Sequence, residues 1–388
     1  MTTIILPNSV TNLGSSVFSN CTGLEAATLS TNLANLQNAV FLGCSKLTSI
    51  IIPDSVTNIG GYAFSSCVSL TNVTIGKGVR WIGGGAFAGC TNLVKVDIPA
   101  STISIDVSAD FSAFGGTTSL SAINVDGQNS AYSSLDGVLF DKSQTTLILY
   151  PQAKVLSDYL MPNSVTTLGP TAFYNCTKLT SVTIGNKVAY IPSQAFSFCT
   201  SLTRLTIPDS VTNIQDALEG KIYTDGAFAS CTSLTNVTVG KGLTYIGLGA
   251  FNYCTNLTGL YFQGDAPSFG EDILNAGMGG DVFARDNAAT GYYLPGTFGW
   301  SATFDYLPMV LWNPQAQTAD GSFGVRMNHF GFNITGTADI PLVVEASTTL
   351  AARSWVPLQS CTLTNGSIYF NDPQWTNYPA GVYRIRSP

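Results

Sequence analysis

Charged side chains are scarce in this chain. Asp, Glu, Lys and Arg make up 10% of its 388 residues, where an ordinary soluble domain carries about 25%. The 16 basic residues are scattered singly under a net charge of −7, which argues against a nucleic-acid surface, because that needs clustered basic groups. Histidine occurs once, at His329, and no Cys-x-x-Cys pair exists; both shortages count against zinc. No apolar stretch approaches the roughly 18 residues of a membrane-spanning helix. A secretory leader is also missing, since Met1 leads almost directly into the strand-like run Thr3-Ile4-Ile5-Leu6. The sequence therefore reads as a trimmed mature chain or a fragment, with a cytosolic protein as the competing reading.

What the chain has instead is a rhythm. Phe18, Phe41, Phe64, Phe87, Phe114, Phe173, Phe196, Phe228 and Phe251 each stand three residues before a second marked position. That position is Cys21, Cys44, Cys67, Cys90, Cys176, Cys199, Cys231 or Cys254, and once Thr117; a leucine follows three residues later, from Leu24 to Leu257. From Cys21 to Cys90, from Cys176 to Cys199 and from Cys231 to Cys254 the step is 23 residues. A fixed period of roughly 20–50 residues marks a solenoid, and it puts function on a repeated surface rather than in one pocket.

One unit, taken from Leu70, reads as a strand, a second extended piece and a turn. Leu70, Val73 and Ile75 point one way, while Asn72 and Thr74 point the other or lie at the strand edge. Gly or Pro ends the strand, as at Pro53, Gly76, Pro99, Pro162, Gly185, Pro208 and Gly240, because proline cannot donate to a ladder. A Val-x-x-Ile-Gly piece follows (Val56 to Gly60, Val79 to Gly83). Ala-Phe-x-x-Cys then reads as one helical turn with Ala, Phe and Cys facing inward. A single unit is too small to fold alone, but stacked copies bury each other's faces. The strands, starting with Thr3–Leu6 and ending with Leu257–Phe262, number about eleven at parallel spacings of about 4.8 Å.

These motifs resemble the BspA-like leucine-rich repeats. The likeness rests on Ile52-Pro53-Asp54-Ser55-Val56-Thr57-Asn58-Ile59-Gly60 with Ala63-Phe64 and Cys67, and on the copy at Ile207 to Ile214. It implies a right-handed coil of about eleven 23-residue rungs with short parallel strands. Tyr132-Ser133-Ser134, Asp136-Gly137-Val138-Leu139-Phe140 and Leu149-Tyr150-Pro151 resemble the hairpin that interrupts such repeats. Asp136-Gly137 is a turn signal between strand-like flanks in its own right. The expected organisation is a solenoid over 1–262, with a hairpin insertion at about 126–154 and a smaller bulge at Gln215–Asp225. A cap follows over 263–308, in which Trp300, Phe304 and Tyr306 cover the last rung. A turn-rich linker at 309–321 leads to a β-sandwich of immunoglobulin or fibronectin type over 322–388, built from short strands such as Phe323–Ile334 and Val382–Arg386.

The search for catalysis finds little. The repeat thiols are expected to stack as buried, reduced core residues, with side-chain directions that suit bridging poorly; Cys361 stands apart. Glu271-Asp272 reads as solvated surface rather than a glycosidase pair. Asp281, Asp286 and Asn287 match no calcium loop. Gly83-Gly84-Gly85 is a repeat turn without the Lys-Ser/Thr of a phosphate loop. No cofactor is implied, and the chain is read as a non-enzyme.

The outward strand face is the candidate site. It carries Thr28, Thr74, Asp97, Asn124, Thr183, Thr206, Thr238 and Tyr261, hydroxyls and amides repeated along a stiff sheet where threonine is also favoured by β-propensity alone. The family resemblance implies surface exposure and adhesion, so the expected role is an extracellular or cell-surface scaffold that binds an extracellular protein or glycan. The alternative is a structural protomer of a fibre or layer, self-associating through the uncapped first rung; a carbohydrate-active enzyme comes third.

Overall fold

A computed structural model describes residues 1–108, 112–156, 158–216, 226–270, 282–283, 289–349, 355–377 and 381–388. The chain divides into two compact units. The first comprises Met1–Thr235, Gly242–Leu257 and Pro267–Ala288; the second comprises Asn236–Lys241, Thr258–Ala266 and Ala289–Pro388. The bulge expected at 215–225 falls mostly on 217–225, outside the described residues, as do Glu271, Asp272, Asp281, Asp286 and Asn287.

The first unit is a β-solenoid whose rungs each contribute two short parallel strands. Thr3–Ile5, Ala26–Thr28, Ser49–Ile51 and Asn72–Thr74 form one sheet, with Ile5 opposite Thr28 and Ile51 opposite Thr74. Lys95–Ile98 pairs in the same sense with Ala122–Val125. The Val-x-x-Ile pieces form a second sheet, in which Asn35–Leu36, Asn58–Ile59, Trp81–Ile82 and Ser104–Ile105 lie side by side. Close stacking explains the punctuating glycines: a Cβ on Gly76 would sit 2.3 Å from the carbonyl oxygen of Pro53 in the previous rung.

The interior follows the sequence rhythm. Within one rung Leu47, Ile50, Ile52, Val56, Ile59, Ala63, Phe64 and Cys67 are all buried. Phe18, Phe41, Phe64, Phe87 and Phe114 stack face to face at 5.2–5.8 Å between ring centres. Past the hairpin the stack resumes through Tyr150, Phe173, Phe196, Phe228, Phe251 and Phe283. The thiols form a parallel column. Cys67 and Cys90 donate to the carbonyls of Phe41 and Phe64 at 3.1 Å, and Cys199 donates to Phe173 at the same distance.

The Ala-Phe-x-x-Cys segment differs from the helical turn that its spacing predicts. Tyr62 and Ser66 have φ of 57° and 59°, and the next rung repeats this at Gly85 and Gly89. Left-handed residues flanking Ala-Phe break any helix. They turn the amides along the stacking direction instead, so that Phe64 N–H donates to the carbonyl of Ala86 at 2.8 Å. The inward facing of Ala63, Phe64 and Cys67 survives, because rung-to-rung bonding dictates it as firmly as a helix would.

A β-hairpin interrupts the rungs. Tyr132–Leu135 and Val138–Asp141 pair antiparallel around Asp136-Gly137, whose φ values of 50° and 78° fit a tight two-residue hairpin turn. The third strand, Thr146–Leu149, returns to the solenoid by pairing parallel with Thr167–Leu168. Later rungs repeat the pattern through Asp158–Leu160, Ser181–Thr183 and Arg204–Ile207.

In the second unit Asn236–Val239, Gly259–Phe262, Thr290–Tyr293 and Leu307–Leu311 form a parallel sheet. Part of the segment expected as a cap therefore continues the strand pattern. Phe304 is buried, and Trp300 stacks between Phe262, Tyr293 and Phe304. Tyr306 does not cover the core: it is 83% exposed. The reason is local, since Asp305 and Tyr306 (φ 44° and 66°) form the turn between Thr303–Phe304 and the antiparallel Leu307–Leu311. The presumed linker is also structured, with Met309–Leu311 in one sheet and Gln315–Ala316 paired to His329–Thr335 in another.

The C-terminal strands form two sheets. Gln315–Ala316, His329–Thr335, Gly324–Arg326 and Ser367–Asp372 make one; Val356–Thr362, Pro341–Ser347 and Val382–Arg386 make the other. Phe332, Ile334, Ile340, Leu342, Val344, Leu363 and Phe370 form the core of this sandwich. Glu345 is buried on the second sheet, held by Arg384 and Arg386 at 2.6 Å each. Burial raises its carboxyl pKa, but the hydrogen bonds and charges of Arg386 and Arg384 outweigh that, leaving it below its ordinary 4.5. A carboxylate with a depressed native pKa stabilises the fold above its unfolded pKa, and that contribution is lost as pH falls through the native value. Acid titration of stability below about pH 4.5 should therefore show a loss that Glu345→Gln removes. At neutral pH the substitution should cost about 1–2 kcal/mol. A Glu345→Gln variant with the parent's acid profile would contradict this assignment.

Candidate functional site

The strand face of the first unit is built by alternation. Within each strand the second residue points inward, and in four-residue strands such as Lys95–Ile98 and Arg204–Ile207 the fourth does too, so the residues between must point out. Thr28, Thr74, Asp97, Thr183 and Thr206 are exposed as expected, and Asn124 is half-buried. Register brings them into columns: Thr28 beside Ile5, Thr74 beside Ile51, Asp97 beside Asn124, and Thr183 between Leu160 and Thr206.

Charge enters the face at Asp158 and Arg204, which are exposed at the starts of their strands, and in one hydrogen-bonded cluster. Lys95 Nζ lies 3.0 Å from Asp97 Oδ1, which also accepts from Asn124 Nδ2 at 2.9 Å. Partial desolvation raises the Asp97 pKa, while the Asn124 and Lys95 hydrogen bonds and the Lys95 charge lower it further, so it ends below the usual carboxylate range. This small cluster is fixed and ionised, with no base beside it to accept a proton from a substrate.

Sequence reasoning understated the apolar component. Ile5, Ile51 and Leu160 stand in the same outward columns and are 69–72% exposed. Branched aliphatic groups at a position otherwise held by threonine were the available signal. The face is thus a mixture of methyl groups and hydroxyls, suited to desolvation against another polypeptide as well as to hydrogen bonding.

In the second unit the expectation holds less well. Thr238 is half-buried, and Tyr261 is only 6% exposed. The Tyr261 ring stacks on Tyr292 at 4.9 Å, with planes 9° apart. With Trp312 and Arg386 it lines a cavity of about 210 Å³. Tyr261 therefore belongs to the packing of this unit and does not stand on an open strand face. The cause is the aromatic partner supplied by the neighbouring strand, Thr290–Tyr293.

Among the described residues the groups that could do chemistry are not brought together. His329 begins a strand opposite Arg326, beside the turn Met327-Asn328. The thiols of Cys44, Cys67, Cys90, Cys176, Cys199 and Cys231 are pushed up by burial, Cys44 to about 11 and Cys90 to about 12. They stay protonated and are poor nucleophiles. Among the described residues no group of three His, Cys, Asp or Glu is placed to hold a metal ion, and no helix is long and apolar enough to cross a membrane.

Comparison with known proteins agrees with this architecture. The BspA type leucine rich repeat region matches in six copies, over residues 1–121, 110–223 and 150–276. Among solved structures, the pneumococcal vaccine antigen PcpA superposes with a TM-score of 0.61 at 20% identity, covering 80% of this chain and 79% of that one. A leucine-rich repeat protein from Eubacterium ventriosum gives 0.56 at 17% identity, over 75% and 79%. At those identities the likeness shows the fold alone. A leucine rich cell surface protein from Faecalibacterium prausnitzii gives 0.52 at 26% identity, over 68% and 79%. No curated protein matches. The repeat matches run through most of the first unit and the stacked Phe–Cys rungs are the ones they cover, so the chain belongs to the BspA type leucine-rich repeat family.

Proposed function

We propose that this chain is a non-enzymatic scaffold that binds an extracellular protein at a bacterial surface, through the strand face of its first unit. The observation that carries the reading is the set of outward positions at which Ile5, Thr28, Ile51 and Thr74 alternate and Leu160, Thr183 and Thr206 follow one another. Rungs about 4.8 Å apart offer methyl groups for burial and hydroxyls for hydrogen bonds. The low charge of the chain suits a partner met without strong electrostatic steering. Family membership and the cell-surface description of the Faecalibacterium protein support a binding role at that location.

Immobilised extracellular matrix proteins and a glycan array test it. Capture of a protein ligand should weaken about ten-fold or more when Ile51→Asp is combined with Thr74→Ala, Thr183→Ala and Thr206→Ala. Each threonine change should move stability by no more than about 0.5 kcal/mol. Ligand capture that all four substitutions leave intact would rule out this face. Glycan capture without protein capture would shift the reading to a carbohydrate adhesin.

A further inference from the structure

The turn side of the first unit is tied together by one backbone bond per rung, from each Phe amide to the carbonyl before the next ring. Phe41 donates to Ala63, Phe64 to Ala86 and Phe87 to Ala113, each at 2.8 Å. Beyond the hairpin Tyr150 donates to Ala172 at 2.7 Å and Phe173 to Ala195 at 2.8 Å. Among the described residues no such bond and no ring contact joins Phe114 to Tyr150. Thr117, standing where other rungs have Cys, bonds back to the carbonyl of Phe114 in its own rung at 2.7 Å. The ladder is broken here, and a cleft of about 440 Å³ occupies the break. That size lies within the range of about 300–1,000 Å³ typical of small-ligand pockets.

The lining of this cleft is chemically specific. Phe114, Gly115, Gly116 and Thr117 form one wall, and Tyr150, Pro151 and Gln152 form the other. Three residues of its lining carry a buried side-chain oxygen, closed to water in the unliganded chain, that has no hydrogen-bond partner among the described residues: Ser112 Oγ, Tyr150 Oη and Gln152 Oε1. Ser112 and Gln152 are 8% exposed and Tyr150 is 1% exposed. Buried polar atoms are normally satisfied, so three orphans on residues that line one cavity call for a partner that the described residues do not supply.

Tyr150 makes the strongest case. Its amide bond to Ala172 and its carbonyl, which accepts from Cys176 Sγ at 3.6 Å, place it at the position that phenylalanine holds in the other rungs. Its ring completes the stack on Phe173 at 5.1 Å. Packing is satisfied by the ring alone, and the hydroxyl adds only a desolvation penalty unless something bonds to it. Gln152 is similarly arranged: its Nε2 donates to the carbonyl of Tyr174 at 3.1 Å, leaving Oε1 as a free acceptor.

These features define the ligand. Among the described residues no charged side chain lines the cleft, so an ion would lose its hydration without compensation. A purely apolar guest would leave all three orphans unpaired. What fits is a neutral ring bearing hydroxyls, donating to Gln152 Oε1 and bonding with the Tyr150 and Ser112 hydroxyls. The rim offers an aromatic face, because the Tyr62 ring lies against Gly85, where a Cβ would come within 2.6 Å of it. We infer that this cleft binds a neutral sugar ring, either a free monosaccharide or the terminal unit of a glycan, at a site separate from the strand face.

The test is titration of the full chain with glucose, galactose and N-acetylglucosamine, each as the free sugar and as an oligosaccharide, followed by calorimetry and ligand-detected NMR. Saturable binding of at least one probe is expected, weakened about ten-fold or more by Tyr150→Phe and by Ser112→Ala. Binding of oligosaccharides alone would assign a glycan terminus, and equal binding of the monosaccharide would assign the free sugar. Tyr150→Phe restores the repeat residue, so its unliganded Tm should equal or exceed that of the parent, which separates lost binding from lost folding. No saturable binding of any probe, or binding that both substitutions leave unchanged, overturns the inference. A lowered Tm for unliganded Tyr150→Phe would also overturn it, by showing that the hydroxyl already serves the fold.

Discussion

Phe64→Ala is expected to destabilise the first unit by about 3–5 kcal/mol. Phe64 is fully buried and stacks on two rings, Phe41 and Phe87, each at 5.4 Å with planes 5–6° apart. Removing it takes away both contacts and leaves a cavity bounded by neighbouring rungs whose spacing is fixed by backbone bonds, so collapse is limited. In a stacked array each rung is stabilised mainly through its two interfaces. The same change at Phe18, which is 8% exposed and stacks only on Phe41, should cost roughly half as much. Denaturant midpoints for the two variants measure the difference. Equal losses at both positions would mean that the ring ladder is not a nearest-neighbour device.

The ladder was legible because it rests on spacing. Phenylalanine, cysteine and leucine at fixed offsets can share an interior only if rungs repeat in register, whatever the local conformation. The conformation itself was not legible in Ala63-Phe64-Ser65-Ser66-Cys67. Helix and paired turns both put Ala, Phe and Cys inward, and only the positive φ at Tyr62 and Ser66 separates them. Neither residue type announces it.

Positions of the candidate site were legible to a similar degree. Thr74 and Thr183 could be placed on the open face by alternation, because their three-residue strands each have a single inward residue. Tyr261 followed the same rule, yet its exposure is set by Tyr292, in a strand whose partner cannot be found from the repeat period. The cleft left a trace in Thr117, where the cysteine rhythm lapses, and in the tyrosine that ends Leu147-Ile148-Leu149-Tyr150. That these mark one cavity follows only from the hairpin returning Tyr150 to the phenylalanine position, a long-range pairing no local pattern encodes.

The cysteine column yields the second large effect. With a thiol reagent under native conditions, Cys21 and Cys361, both half-buried, should react readily. Cys44, Cys67, Cys90, Cys176, Cys199, Cys231 and Cys254 are buried and should react on the order of a thousand-fold more slowly, because a reagent reaches them only when a rung opens. Two barriers act together. Burial raises the thiol pKa, as at Cys90 to about 12, which reduces the reactive thiolate. In addition each Sγ is engaged with the carbonyl of a stacked aromatic residue, as Cys90 is with Phe64 at 3.1 Å and Cys176 with Tyr150 at 3.6 Å. Denaturant should remove both barriers and bring all nine thiols to one rate. Because a rung can open only by parting from its neighbours, protection should also be graded, weaker at Cys44 beside the half-buried Cys21 than at Cys67 or Cys199. Mass spectrometry of partly labelled chains would read that order. Uniformly fast labelling of the seven would mean that the thiols do not line a sealed interior, and the stacking on which the strand face and the cleft both depend would go with it.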